Sequence, residues 1–234
     1  MFSPQLADYD GDGRLDLISG SSRADGGCFY VFHRLKDGGF APRKKVTLVF
    51  PREQFGVVST REMGSRIAVA DLNGDGNPDV LIGSERWSKW DTFGIVYGPL
   101  AGKDELTAQR LWPKGHELFP PITRMSTNPV LADWDGDGLP DLILGVSKWS
   151  TDSSGRLGVY WCRNVGTKRA PEFGPPQLLV ADNERVRTTG ICVADWNGDG
   201  RPDLIASRTG SEVGREGKQT RRHHKVWVYL RRGG

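Results

Sequence analysis

The residues of this chain best placed to do chemistry sit in one short stretch, Asp133-Trp134-Asp135-Gly136-Asp137-Gly138-Leu139-Pro140-Asp141, which runs straight into the apolar Leu142-Ile143-Leu144. Carboxylates occupy loop positions 1, 3, 5 and 9, and glycines positions 4 and 6. Carboxylates at this density repel one another, and glycines so close together make the backbone costly to order. A hard cation such as Ca²⁺ resolves both problems, because it takes roughly six to eight oxygen ligands within a tightly curled backbone.

The same chemistry recurs along the 234 residues. Asp8-Tyr9-Asp10-Gly11-Asp12-Gly13-Arg14-Leu15-Asp16 opens the chain. Asp71-Leu72-Asn73-Gly74-Asp75-Gly76-Asn77-Pro78-Asp79 and Asp195-Trp196-Asn197-Gly198-Asp199-Gly200-Arg201-Pro202-Asp203 flank the third copy. First aspartates at 8, 71, 133 and 195 give steps of 63, 62 and 62 residues. A period this regular and this long means a repeat architecture.

Each loop opens like an EF-hand, which needs a bidentate Glu at its twelfth position and a helix on either side. The twelfth residues are Ser19, Ile82, Leu144 and Ala206, so the EF-hand reading fails. Pro78, Pro140 and Pro202 stand one residue before the ninth position, where a strand can begin but a helix cannot continue. Short apolar segments follow each loop. The elements that position the carboxylates are therefore strands.

Repeat 3 predicts them most cleanly: 129–133, 142–146, 157–163 and 176–180, with turn residues between. Repeat 1 predicts strands at 5–7, 16–19, 29–34 and 45–50, and repeat 2 at 67–70, 80–82, 94–97 and 106–112. Repeat 4 offers 191–194, 204–206 and 226–230, with no evident fourth strand. The expectation is an all-β chain forming one β-propeller domain over 1–234, with repeats near 1–65, 66–127, 128–189 and 190–234. Each blade is expected to be a four-stranded antiparallel sheet. A missing fourth strand leaves an open edge. Four blades closing on themselves, two chains pairing as a homodimer, and a share in a larger propeller all remain open.

The repeated D-x-[DN]-G-D-G-x-x-D-[LV] with a strand on each side resembles the FG-GAP/VCBS family of calcium-binding β-propeller repeats, carried by integrin α-subunit heads and many bacterial surface and secreted proteins. The resemblance covers essentially the whole chain. It implies about four Ca²⁺ sites, with side-chain ligands at positions 1, 3, 5 and 9 and the carbonyl of position 7. These are Asp8, Asp10, Asp12, Arg14 and Asp16; Asp71, Asn73, Asp75, Asn77 and Asp79; Asp133, Asp135, Asp137, Leu139 and Asp141; and Asp195, Asn197, Asp199, Arg201 and Asp203. Asn73 and Asn197 carry one negative charge less than their counterparts, which implies weaker sites. The resemblance also implies that each calcium loop joins the first and second strands of its blade, with calcium on one face of the propeller and a ligand on the other.

Charge supports a division of labour. The four loops hold 14 of the 29 acidic residues, which leaves 15 against 32 basic residues elsewhere. Such a surface attracts polyanions. The loops expected on the face away from calcium contain Arg61, Arg66, Trp87, Trp90, His116, Arg124, Trp149 and Arg187, and in repeat 4 a long basic stretch from Arg208 to Lys225 that includes His223 and His224. Tryptophan beside Arg and Lys suits stacking on a sugar while pairing with its carboxylate or sulfate. An acidic glycan or a protein ligand is favoured over nucleic acid, since no nucleic-acid fold signature is present. Trp134, Trp161, Trp196 and Trp227, in or beside strands, are expected between blades.

The leading functional reading is a calcium-binding scaffold or binding module. A calcium-dependent polysaccharide lyase is the enzymatic alternative, and a protein-interaction scaffold with structural calcium is the third. No nucleophile–base motif supports catalysis. Cys28, Cys162 and Cys192 are expected as buried free thiols. No apolar run is long enough for a membrane helix. No secretory leader precedes the first repeat, and calcium loops of modest charge suit extracellular calcium. The expectation is an extracellular, cell-surface or periplasmic protein whose natural leader lies outside this sequence.

Overall fold

The structure is a computed structural model in which residues 4–21, 25–56, 63–84, 93–112, 125–148, 157–182, 186–213 and 219–231 are described. It is all-β, with four blades in chain order. The first contains β1 (Pro4–Ala7), β2 (Asp16–Gly20), β3 (Cys28–Phe32) and β4 (Lys44–Val49). After a one-turn helix α1 (Arg52–Phe55), the second contains β5 (Met63–Ala70), β6 (Asp79–Ser84), β7 (Gly94–Val96) and β9 (Gln109–Arg110), while β8 (Glu105–Thr107) adds to the first. The third has β10 (Met125–Ala132), β11 (Asp141–Lys148), β12 (Gly158–Cys162) and β13 (Gln177–Ala181). The fourth has β14 (Val186–Ala194), β15 (Asp203–Val213) and β16 (Gln219–Tyr229). Apart from β8, neighbouring strands within each blade run antiparallel, and every carboxylate loop joins the first strand of its blade to the second.

Alternation along the second strands explains the stacking. A strand turns successive side chains to opposite faces, so the residues after each ninth-position Asp sort between neighbouring blades. Ile18 joins Tyr9 and Phe29 in a cluster with Ile67, Val80 and Ile82 of the second blade. From that blade's other face Leu81 and Leu72 meet Leu142, Leu144 and Cys162. Ile143 and Trp134 of the third blade meet Leu204 of the fourth. Each fully buried aliphatic side chain in such a stack contributes about 1.5–3 kcal/mol.

The pattern stops at both ends. The second loop residue is buried in the first three blades, Trp134 being 9% exposed, whereas Trp196 is 64% exposed. Ile205, the counterpart of the buried Ile18, Leu81 and Ile143, is only half-buried, and Cys192 on the same face is exposed. On the first blade Leu6 is 58% exposed. Trp196 therefore does not pack between blades as expected, because no further sheet covers that face of the fourth blade among the described residues; Trp227 pairs with Ala206 on the face turned to the third blade, yet on the last strand of its sheet it is 47% exposed. Cys192 is exposed for the same reason, while Cys28 and Cys162 are the expected buried thiols.

Two further expectations are corrected. The strand predicted over 106–112 is split: β8 adds in parallel to β4 of the first blade, pairing Leu48 with Leu106, and only β9 pairs with β7. Burying Leu106 and Ala108 in the cluster between the first two blades draws this segment across. The long basic loop expected from Arg208 to Lys225 is instead a hairpin, because β15 and β16 continue their pairing out to Val213 and Gln219. His223 and His224 accordingly stand in β16. The three-stranded fourth blade agrees with the missing strand.

Candidate metal centre and ligand face

The four loops share one hydrogen-bond plan. The first Asp caps the curled backbone: Asp8 accepts the N–H groups of Gly11 (2.9 Å), Asp12 (3.0 Å) and Gly13 (2.8 Å). Asp133 and Asp195 accept the same three donors in their own loops, at 2.8–3.1 Å. Asp71 accepts those of Asp75 and Gly76. The two loop glycines permit the curl; in the third loop Gly136 and Gly138 have φ of 84° and 87°, a region that costs other L-residues about 1–2 kcal/mol. Position 3 accepts the N–H of position 5, and position 5 that of position 7.

The ninth Asp does something the sequence did not disclose. Asp16, Asp79, Asp141 and Asp203 are fully buried. One oxygen of each accepts the N–H of the second loop residue: Tyr9 at 3.2 Å, Leu72 at 2.8 Å, Trp134 at 3.1 Å and Trp196 at 3.0 Å. The other accepts an N–H just past the third strand: Arg34 at 2.7 Å, Gly98 at 2.8 Å, Asn164 at 2.6 Å and Arg231 at 2.8 Å. One carboxylate thus fastens three segments of its blade. Burial pushes the Asp79 and Asp141 carboxyls above their ordinary range, and these N–H bonds oppose the rise.

At positions 3 and 5 the second oxygens stay clear of the backbone, and each of the following draws in an N–H donor. Asp12 meets the Arg14 guanidinium, and Asp199 those of Arg201 and the Asn197 amide. Asp75 meets Asn73, and Asp135 and Asp137 meet Arg163 at 2.6 and 3.1 Å. The Asn77 N–H bonds hold Asp75, and the Arg201 bond holds Asp199, below the usual carboxylate range. Carboxylate oxygens of Asp8, Asp10 and Asp12 lie within 4.8 Å of one another, as do those of Asp133, Asp135 and Asp141. The all-oxygen sets of the second, third and fourth loops, each drawing in N–H donors, fit Ca²⁺, while in the first loop His33 Nδ1 stands beside the carboxylates, 3.1 Å from Asp10 Oδ2.

Of the residues expected to bind a ligand, Arg61, Trp87, Trp90, His116, Arg124 and Trp149 lie outside the described residues. Arg66 and Arg187 stand in β5 and β14 rather than in loops, because those ladders begin several residues earlier than predicted. Arg66 is 6% exposed and Arg187 half-buried. Arg208, expected on a loop, lies in β15, where it pairs with the buried Asp182 at 2.8 Å and donates to the Ala181 carbonyl. Asp182 also accepts the Thr188 N–H at 2.6 Å, so this pair fastens the third blade to the fourth. No spacing in the sequence announced it.

The FG-GAP-like repeat family model matches residues 8–82 and 133–206, more than half of the chain. This chain belongs to the FG-GAP repeat family. Its curated relatives are diverse. Mouse phosphatidylinositol-glycan-specific phospholipase D is 27% identical over 188 residues, covering 76% of this chain and 21% of the relative. Human cartilage acidic protein 1 is 25% identical over 178 residues, covering 76% and 24%. Human integrin alpha-7 is 29% identical over 157 residues, covering 62% and 12%. The chain therefore spans a quarter or less of the length of these proteins. Among solved structures, that of an Agrocybe aegerita lectin recognising non-reducing terminal N-acetylglucosamine aligns with 98% of this chain and 57% of its own, at 19% identity and a TM-score of 0.48.

Proposed function

We propose that this chain is a calcium-binding β-propeller module that presents an acidic carbohydrate, or an acidic protein ligand, with a basic face away from its calcium loops. The observation that carries this reading is charge segregation: 14 of 29 acidic residues sit in loops at one end of the blades. At the other end β15 and β16 extend as a hairpin bearing exposed His224 and Lys225. The chain also leaves β6 at Ser84 and re-enters at Gly94 at that end, and Trp87 and Trp90 lie in sequence between the two. Calcium loops of this charge suit an extracellular, cell-surface or periplasmic setting.

An array of neutral, uronic and sulfated oligosaccharides, probed with calcium and with EGTA, tests the reading. Salt-sensitive, calcium-dependent binding of the acidic members is expected. A blank array with folded, calcium-loaded protein contradicts glycan binding and favours the scaffold alternative. Cleavage products from a bound uronate polymer favour the lyase.

The uncovered faces at Leu6 and at Cys192, Trp196 and Ile205 are the two halves of an interface that the chain makes repeatedly inside itself. We read them as seats for a further blade, from a second copy or a larger propeller. Light scattering gives the mass, and thiol labelling reports the face through exposed Cys192, Cys28 and Cys162 being buried. A dimer with protected Cys192 supports the second copy, and a monomer with reactive Cys192 supports the larger propeller. A monomer with protected Cys192 contradicts both.

A further inference from the structure

The four loops are not equivalent, and the difference comes from outside them. Because an N–H just past each third strand is fixed on the buried ninth Asp, the residue before it is held at the rim of the loop. Those rim residues are His33, Tyr97, Arg163 and Leu230. The two basic ones fall in the blades whose third loop position is Asp rather than Asn: Asp10 with His33, and Asp135 with Arg163. In both blades the side chain reaches that aspartate, Arg163 Nε at 2.6 Å from Asp135 Oδ2 and His33 Nδ1 at 3.1 Å from Asp10 Oδ2.

The two then part in chemistry. A guanidinium has no lone pair to give a metal, whereas an imidazole nitrogen is a common metal ligand. His33 Nδ1 also lies 3.3 Å from Asp16 Oδ2, and its ring is set edge-on against Tyr9 with centroids 6.0 Å apart. Asp16 is fully buried, with its Oδ1 on the Arg34 N–H and its Oδ2 on the Tyr9 N–H, so its position is set by backbone and not by the histidine. Donor atoms of Asp10, Asp16 and His33 all fall within 4.8 Å of one another. Two ligands about 2.1 Å from an ion and near right angles to each other stand about 3 Å apart, close to the spacings seen here. Among the described residues no other loop has a nitrogen ligand within reach.

We propose that the first loop is a mixed nitrogen–oxygen site, formed by Asp10, Asp16 and His33, that takes a transition-series divalent cation such as Zn²⁺, Mn²⁺ or Co²⁺ in preference to Ca²⁺. Calcium takes oxygen ligands, while imidazole with carboxylate suits the later first-row ions. The proposal rests on the reading that these loops hold cations, and it distinguishes one of them from the other three. The same distances also describe a plain histidine–carboxylate pair, which is the alternative the experiment must separate.

Co²⁺ is the probe, read by its visible absorption in the full chain with calcium at saturation. One tightly bound cobalt per chain is expected. His33→Gln, which keeps the size and removes the nitrogen ligand, weakens that binding by about tenfold or more and leaves the melting temperature near the parent value. Asp12→Asn, which alters the loop without touching the three proposed ligands, retains tight cobalt. Equal cobalt affinity in the parent and His33→Gln overturns the proposal and points to another histidine. Absence of cobalt binding above saturating calcium overturns it as well. A chain that binds cobalt through His33 but no calcium leaves this site standing and defeats only the calcium reading of the other loops.

Discussion

Asp141→Ala lowers the melting temperature by about 10 °C, the shift corresponding to roughly 3 kcal/mol in a chain of this size. The carboxylate is buried and accepts the Trp134 N–H on one oxygen and the Asn164 N–H on the other, at 3.1 and 2.6 Å. Asn164 is itself a hub, donating to the Pro140 carbonyl and accepting from Gly166 and Glu172 at 3.1 Å each. Alanine strands two buried donors and lets go of the turn that Asn164 organises. Each stranded donor costs about 1–3 kcal/mol. Asp137→Ala, in the same loop, loses only the bond it accepts from the Leu139 N–H and an exposed, solvent-screened pair with Arg163, a smaller loss. Both variants are melted in excess chelator, so that lost metal ligation does not enter. An Asp141→Ala melt no lower than that of Asp137→Ala contradicts the fastening role.

The repeat period and the strand–loop–strand setting were legible because loop chemistry and proline placement leave few alternatives, and the four-bladed propeller was legible through the family resemblance that those loops carry. The aspartates were legible as a set but not as individuals. A ligand and a backbone fastener are both Asp, and only burial separates Asp141 from Asp137. Strand ends were harder. Arg66 and Arg187 carry loop-like composition, yet ladder bonding to Gly83 and Thr209 carries their strands past the apolar residues that mark the core. The hairpin of the fourth blade was hidden for the same reason: apart from Val213 and its glycines, Arg208 to Lys225 is polar, and cross-strand bonding rather than hydrophobic alternation keeps it in register. Trp196 misled because its equivalents Tyr9, Leu72 and Trp134 are buried by a following blade that it lacks. Side-chain type cannot show whether a neighbour is present.

On the proposed calcium reading, chelation has the largest effect expected of any treatment. Each loop places three or four carboxylates within a few bonds of one another, and their repulsion is relieved only in part by capping N–H groups and nearby Arg, Asn and His donors. A cation that binds the folded loop and not the unfolded chain stabilises by about 2.7 kcal/mol per site at a hundred times its dissociation constant. Several loops acting together therefore lower the melting temperature by more than about 10 °C when stripped. The loops keep their internal hydrogen bonds, so the chelated chain still melts cooperatively from a β-rich state. The most direct measurement is a calorimetric melt of one preparation in calcium, in excess EGTA, and after calcium is restored. A large downward shift that reverses on restoration is the predicted result. An unchanged melt in EGTA would show that the aspartates shape these loops through their backbone bonds alone and that calcium has no part in holding the blades.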